Sequence, residues 1–189
     1  VYGRRPADLA IASLLQSKLG LYVYLHEGDL SQSGFLVESW PCGIVIEIGP
    51  VAQSLLDYSI VLQTKLVLQS LFEELLKIKL GNLTLPKKLV VHRHLKSLDY
   101  PRNANGAPSA CIHPDLLKSN WKPIKRGFPL FIKSDGSLIY YENDDLVVPV
   151  FVNEAAYVEK GIALSFTKKE VMFVSDGWLL ELRNLFLIK

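Results

Sequence analysis

The residue best suited to acid–base chemistry in this sequence is Glu47, a carboxylate within the apolar run GIVIEI of residues 43–48, which ends at Gly49-Pro50. A short β-branched run bounded by Gly and Pro predicts a buried strand. An ionised carboxylate in such a strand is costly unless a partner stabilises it or its pKa rises, and sites that tolerate this cost are often functional. A structural alternative stays open, in which Glu47 points into a rim or meets a buried arginine.

A second candidate is the segment VFVNEAAY of residues 150–157. Here an apolar strand ends on Asn153 and Glu154, and two small residues then lead to Tyr157. Small residues let a backbone approach closely, and Tyr157 could offer its hydroxyl to a ligand. A strand end with a packed aromatic ring explains the same pattern equally well.

The histidines give weaker signals. His92 and His94 stand two residues apart on one face of a predicted strand and could bind a metal, but Lys96 on that face favours a solvated surface. His26-Glu27 lacks the second histidine of a zinc protease motif, and His113 begins a loop. The sequence has neither a glycine-rich phosphate loop nor a nucleophile elbow.

Helices and strands alternate in the first half, which is typical of an α/β layer. Pro6 and Asp8 predict the start of a helix that Gly20 ends, and residues 21–25 predict a strand before a polar loop over 26–34. A long helix is expected from Pro50 to about residue 79, buried between other elements because apolar residues cover much of its surface. We expect the rest of the sheet to lie upstream of the chain.

The second half changes to strand signals without helices. A hairpin turn is predicted at residues 134–137, and Pro149 predicts an edge strand or a bulge. We therefore expect a partial catalytic α/β domain at 1–83, a small, mostly antiparallel β domain at 84–170, and a tail at 171–189 without predicted structure. The predicted strands cover residues 89–95, 130–133, 138–141, 147–152 and 163–166.

Composition narrows the class of protein. The chain has 189 residues, 49% of them hydrophobic, and a formal net charge of +2, which predicts neither a nucleic-acid nor a membrane partner. No segment reaches the roughly 18 uninterrupted apolar residues of a membrane helix. Two cysteines fit a reducing, cytoplasmic location. The sequence leaves open whether the protein forms a homo-oligomer.

Three segments together resemble the aspartoacylase / succinylglutamate desuccinylase-like family of zinc amidohydrolases. They are GIVIEIGPVAQ at 43–53, DYPRNANG at 99–106 with IHP at 112–114, and PVFVNEAAY at 149–157; WKP at 121–123 is also similar. The resemblance implies a mixed α/β fold, namely the C-terminal part of a zinc carboxypeptidase-like α/β domain followed by a small, mostly antiparallel β domain.

The resemblance also implies a reaction, the hydrolysis of an N-acyl amino acid, with N-acetylaspartate as the first expected substrate. One zinc ion would polarise the amide carbonyl and acidify a water. Glu47 matches the glutamate that acts as general base and then general acid. Tyr157 matches a substrate-binding tyrosine, and we expect Glu154 to hold its loop in place.

The sequence departs from the family in the zinc ligands. The family's HxxE and DLH motifs and its paired Asn-Arg do not occur here, so we expect these elements upstream of Val1 and expect the isolated chain to be inactive. The loop of residues 31–35 matches a substrate-contacting loop, with Phe35 where some members carry Arg. Two alternatives remain: a non-catalytic binding or regulatory module pairing with an intact subunit, and a deacylase for other N-acyl amino acids.

Overall fold

The computed structural model describes residues 4–26, 36–52 and 54–187. Two compact units make up the chain, one formed by residues 1–91 with 170–189 and the other by residues 92–169. Strands β2 (Lys88–Leu98) and β7 (Leu164–Phe173) each contain residues of both units. Within the described residues, no helix is long and apolar enough to cross a membrane.

Helix α1 (Pro6–Leu19) is the centre of the first unit. It starts at Pro6 and ends at Gly20, whose φ of 69° is left-handed, as the sequence predicts. One side of α1 packs on helices α2 (Tyr58–Lys79) and α5 (Asp176–Asn184). Its other side, with Leu9 and Ala12, packs on Val23 and on strand residues that include Leu25 and Leu89. A helix between a helical layer and a strand layer is an α/β arrangement.

Helix α2 differs from its prediction at its start and in its burial. It begins at Tyr58 because the Asp57 carboxylate accepts the Ser59 N–H at 2.8 Å, and Ser54 upstream has a φ of 65° that no α-helix allows. The predicted start at Pro50 is therefore wrong, whereas the end at Lys79 is confirmed.

The predicted burial of α2 between other elements is wrong over the residues that the structure describes. Its buried residues form a single stripe of Val67, Ser70, Glu74 and Ile78. Phe72 and Leu76 are 65% and 56% exposed. The reason is that apolar side chains occupy both faces of α2, whereas α1 and α5 contact it along the buried stripe.

The predicted buried strand at residues 43–48 is also wrong. Only a single β-bridge, at Val45, interrupts an otherwise irregular segment, and Glu47 is exposed. Ile44 and Ile46 pack against the α1 cluster, while Val45 and Glu47 face outward. The segment thus buries one of its two sides, and its single bridge does not extend into a paired strand. The predicted strand at 21–25 shortens to β1 (Tyr24–Leu25).

The second unit contains most of the short strands. Strands β3 (Ala110–Ile112), β4 (Pro129–Lys133) and β5 (Leu138–Tyr140) form an antiparallel sheet in that order. The predicted hairpin turn joins β4 to β5, with Gly136 at a φ of 83°. Strand β6 (Val148–Val150) pairs antiparallel with β7 at the end of the order β1-β2-β7-β6. Pro149 thus lies in an edge strand, as predicted.

Two short helices and one core complete this unit. Helix α3 (Pro114–Leu117) follows β3, and helix α4 (Ala155–Val158) follows β6. The core joins both sheets around Phe166, which is 1% exposed.

The C-terminal tail, for which the sequence predicts no structure, contains helix α5. Ser175 caps this helix by accepting the Gly177 N–H at 3.1 Å. Leu182 is 1% exposed and packs in the cluster that α1 and α2 share. The tail is therefore part of the first unit's core.

Candidate functional site

Glu47 lies in the first unit on the exposed side of residues 43–48, hereafter the Glu47 segment. Its carboxylate therefore bears no burial cost, and the argument that a buried charge marks a site does not apply to it. What the segment does supply is a fixed backbone. Ile44 and Ile46 anchor it to the α1 cluster, and the Gly43 N–H donates to the Asp8 carboxylate at 2.8 Å. Glu47 thus presents a carboxylate to solvent from an anchored segment.

Asp8 is the buried acid next to this segment, and it is 2% exposed. Burial by itself would raise the pKa of Asp8, but hydrogen bonds from Gly43 and Arg5 outweigh it and hold the pKa below its usual value. Asp8 is consequently ionised at neutral pH. From the sequence alone, Asp8 is recognisable only as a first-turn acid, because its partner in the Glu47 segment is 35 residues away.

Tyr157 lies in the second unit on α4, half-buried. Its ring centroid is 5.3 Å from that of Phe151, and the Lys160 ammonium lies 5.7 Å from the Tyr157 ring. Glu154 occupies the N-cap position of α4. We call residues 151–157 the Tyr157 turn.

The backbone of the Tyr157 turn is left-handed at two positions. Phe151 has a φ of 55° and Asn153 a φ of 59°. The left-handed region is tolerated by Asn but costs a bulky residue on the order of 1–3 kcal/mol, and such residues cluster at functional sites. The Asn153 N–H donates to the Ala163 carbonyl at 2.8 Å, which holds the turn in this conformation.

The DYPR segment contacts the Tyr157 turn directly. The Tyr100 hydroxyl donates to Asn153 Oδ1 at 2.5 Å. Next to it, Arg102 pairs with Asp99 through Nε at 2.6 Å and Nη2 at 3.0 Å, and this hydrogen bonding lowers the pKa of Asp99. Two segments that carry the sequence resemblance therefore meet in one place.

An aromatic series extends from Tyr157 to a buried histidine. Phe151 packs against Trp121 at 5.9 Å, and Trp121 against His92 at 5.1 Å. His92 is 3% exposed, so the predicted solvated strand face is wrong for this residue. Burial lowers the pKa of His92, because an apolar environment disfavours the charged imidazole. The alternating pattern of the strand does not reveal this burial, because the side chain that covers His92, Trp121, is distant in sequence.

Among the described residues, the remaining predicted positions add no ligand set. The loop of residues 31–35, with Phe35, lies outside the described residues. Over residues 4–26, 36–52 and 54–187, no three His, Cys, Asp or Glu side chains come together as a metal-binding group. The residues that the structure describes therefore do not fit a zinc site by themselves.

Comparison with known proteins agrees with the resemblance in the sequence. Residues 87–169 match the AstE/AspA barrel-sandwich hybrid domain. Two proteins named "Probable aspartoacylase", from Prochlorococcus marinus strains SARG and MIT 9313, are 53% and 52% identical over 98% of this chain. The chain covers 61% of each of them, so it spans about three fifths of their length.

The fold has a counterpart among solved structures. The crystal structure of a Glu-to-Ala mutant of murine aminoacylase 3 is 29% identical, with a TM-score of 0.79. The match covers 92% of this chain and 58% of that one. The mixed α/β fold and its sheets thus resemble those of aminoacylase 3. Along nearly its whole length the chain is similar to the probable aspartoacylases, and over residues 87–169 it matches the AstE/AspA domain.

Proposed function

We propose that this chain is part of a zinc-dependent amidohydrolase that cleaves the amide bond of an N-acyl amino acid, with N-acetylaspartate as the first substrate. The observation that carries the proposal is the 53% identity to a probable aspartoacylase along 98% of the chain. The geometry is compatible with it, because Glu47 presents an exposed carboxylate from an anchored segment.

Glu47 would act twice on the same proton. It first removes a proton from the water that attacks the acyl carbon, and it then delivers that proton to the amide nitrogen as the C–N bond breaks. The products are the carboxylic acid, which is acetate for N-acetylaspartate, and the free amino acid. Zinc, when bound, would supply polarisation of the acyl carbonyl and a more acidic water.

Tyr157 would bind the substrate. Its ring is positioned by Phe151 and by the α4 backbone, and its hydroxyl would donate to the substrate carboxylate or to the reacting carbonyl. Glu154, at the start of α4, and the Tyr100–Asn153 hydrogen bond would keep the turn in place.

The chain covers 61% of the length of its relative. We propose that the zinc ligands lie in the part of the complete enzyme that corresponds to the remaining length. The exposed face of α2 supports this, because Leu62, Phe72 and Leu76 are 47%, 65% and 56% exposed and apolar patches of this kind mark interaction sites. We propose that the rest of the catalytic domain packs there. The same proposal includes two further expectations. The isolated chain neither binds catalytic zinc nor hydrolyses substrate, and the complete enzyme works in the cytoplasm.

The proposal is tested in a complete enzyme, made by joining this chain to the unmatched part of the relative from strain SARG. Glu47→Gln keeps the shape of the side chain but cannot accept a proton, so kcat for N-acetylaspartate should fall by about 10²–10⁴ while zinc content stays at one per chain. Loss of zinc instead would mean that Glu47 is a ligand and that its proposed role is wrong.

Tyr157→Phe tests the binding role, with Tyr140→Phe as the matched control on an exposed strand position. Loss of a hydrogen bond to a charged group should raise KM by about tenfold or more, whereas the control should not change KM. Stoichiometric zinc and deacylation by the isolated chain would refute its inactivity. A zinc-free complete enzyme without turnover would favour a binding or regulatory module, and turnover of other N-acyl amino acids would change only the substrate.

A further inference from the structure

Arg5 and Asp8, at the start of α1, form a partly buried network that has no direct part in the proposed chemistry. The Asp8 carboxylate accepts the Arg5 N–H and the Arg5 Nε–H, each at 3.0 Å, and the Gly43 N–H at 2.8 Å. A first-turn acid needs only the helix N-terminus for its stabilising effect. The bond to Gly43 therefore serves a different contact, between α1 and the Glu47 segment.

Arg5 completes this contact from the other side. Its Nη2 donates to the Val37 carbonyl at 2.7 Å, and its Nη1 donates to the Trp40 carbonyl. Together with the bond from Gly43, these contacts fix the loop of residues 37–43 at three points. We call the pair the Arg5–Asp8 clasp.

Gly43 shows how tightly the clasp closes this loop. A Cβ atom at Gly43 would lie 2.7 Å from the Val37 carbonyl oxygen and 3.1 Å from Val37 Cα. These are backbone atoms, so a side chain at Gly43 would force the loop to move. The loop and the Glu47 segment therefore meet at a position that only glycine fits.

We propose that the Arg5–Asp8 clasp positions Glu47 for the reaction, an inference that rests on the proposed function of Glu47. Gly43 is four residues before Glu47, and between them Ile44 and Ile46 pack against the α1 cluster. The clasp fixes the beginning of the segment, and the two isoleucines fix its course. Releasing the clasp would let the carboxylate shift, and a shift of about 1 Å can cost about 10²-fold in rate.

The first test measures the opening of the loop through the thiol of Cys42, in the full chain, with iodoacetamide. Arg5→Gln removes a positive charge that lowers the pKa of Cys42, so electrostatics alone would slow the labelling. If Arg5 holds the loop, Cys42 should instead be labelled at least about fivefold faster in Arg5→Gln, because local opening governs the exposure of a half-buried group. Slower or unchanged labelling would overturn the proposal.

A second variant and a control separate loop release from general destabilisation. Gly43→Ala should also accelerate Cys42 labelling by a similar factor, without any change of charge. Gly20→Ala strains the other end of α1, at a φ of 69° with open space around the added methyl, and should leave the Cys42 rate within about twofold. If Gly20→Ala accelerates labelling as much as Arg5→Gln does, the effect is ordinary unfolding and the clasp has no special role.

The second test connects the clasp to catalysis in the zinc-loaded complete enzyme described above. Arg5→Gln and Asp8→Asn should each lower kcat by about tenfold or more, with KM within about twofold, because the groups that bind substrate are unchanged. Gly20→Ala should keep the wild-type kcat. Accelerated Cys42 labelling with an unchanged kcat would refute the positioning role. An inactive wild type would refute the proposed function alone, since the labelling test of the clasp does not need activity.

Discussion

Leu182→Ala tests whether the C-terminal helix α5 is part of the core of the first unit. Leu182 is 1% exposed and packs against residues of α1 and α2, whereas Leu180, two residues earlier on the same helix, is 61% exposed. The matched control is therefore Leu180→Ala. Both substitutions remove the same atoms and have the same helix propensity, so their difference isolates burial.

The expected cost follows from the number of atoms removed. Replacing Leu by Ala deletes three carbons, each worth about 0.8 kcal/mol when buried, or about 2.4 kcal/mol in total. The cavity left behind adds to this, so we expect Leu182→Ala to lower the free energy of unfolding by about 3 kcal/mol. Leu180→Ala should change it by no more than about 0.5 kcal/mol.

Urea and thermal unfolding, followed by tryptophan fluorescence and circular dichroism, measure the difference. For a chain of this size, about 3 kcal/mol corresponds to a Tm lower by about 6–12 °C. Equal midpoints for the two variants, or a change below about 0.5 kcal/mol for Leu182→Ala, would refute the packing of α5 against α1.

Three further predictions concern other buried groups. Phe166→Ala should destabilise the second unit by about 3–5 kcal/mol, while Phe173→Ala on the same strand, 76% exposed, should have little effect in the same urea titration. Burial lowers the pKa of His92, so the imidazole binds a proton less readily in the folded state than in the unfolded chain. The neutral His92 therefore contributes its full stability above a pH of about 6.5, and this stability is lost as the pH falls below that value. Unfolding midpoints measured from about pH 8 to about pH 5 should therefore fall less in His92→Leu than in the wild type. Burial raises the pKa of Cys42 to about 12, so mass spectrometry after iodoacetamide treatment near neutral pH should find the exposed Cys111 modified well before Cys42.

Local signals explain which elements the sequence predicted correctly. The bounds of α1 follow from Pro6 and Gly20, and the β4–β5 hairpin follows from the turn residues at 134–137, because these residues restrict their own backbone. Pro149 indicated an edge strand for the same reason, since it lacks a donor. The predicted end of α2 at about residue 79 also depended on local residues alone.

Predictions that depended on burial did not hold. The GIVIEI run indicated a buried strand, but burial of a strand requires neighbours on both faces, and the structure places Glu47 on the outer side. The number of apolar residues in α2 does not say which elements cover them. Helix α5 lacked a clear period, and its position became evident only from Leu182 and its contacts.

The same distinction between local signals and tertiary contacts applies to the candidate site. The amino-acid sequence alone indicated the resemblance to the AstE/AspA proteins, through three segments, and it suggested Glu47 and Tyr157 as candidate site residues. The folded structure established what surrounds them: Asp8 and Arg5 beside the Glu47 segment, and the series from Phe151 to His92 behind Tyr157. Short-range backbone preferences are readable from a chain, whereas contacts between residues far apart along it, such as Asp8 and Gly43, exist only once the chain is folded.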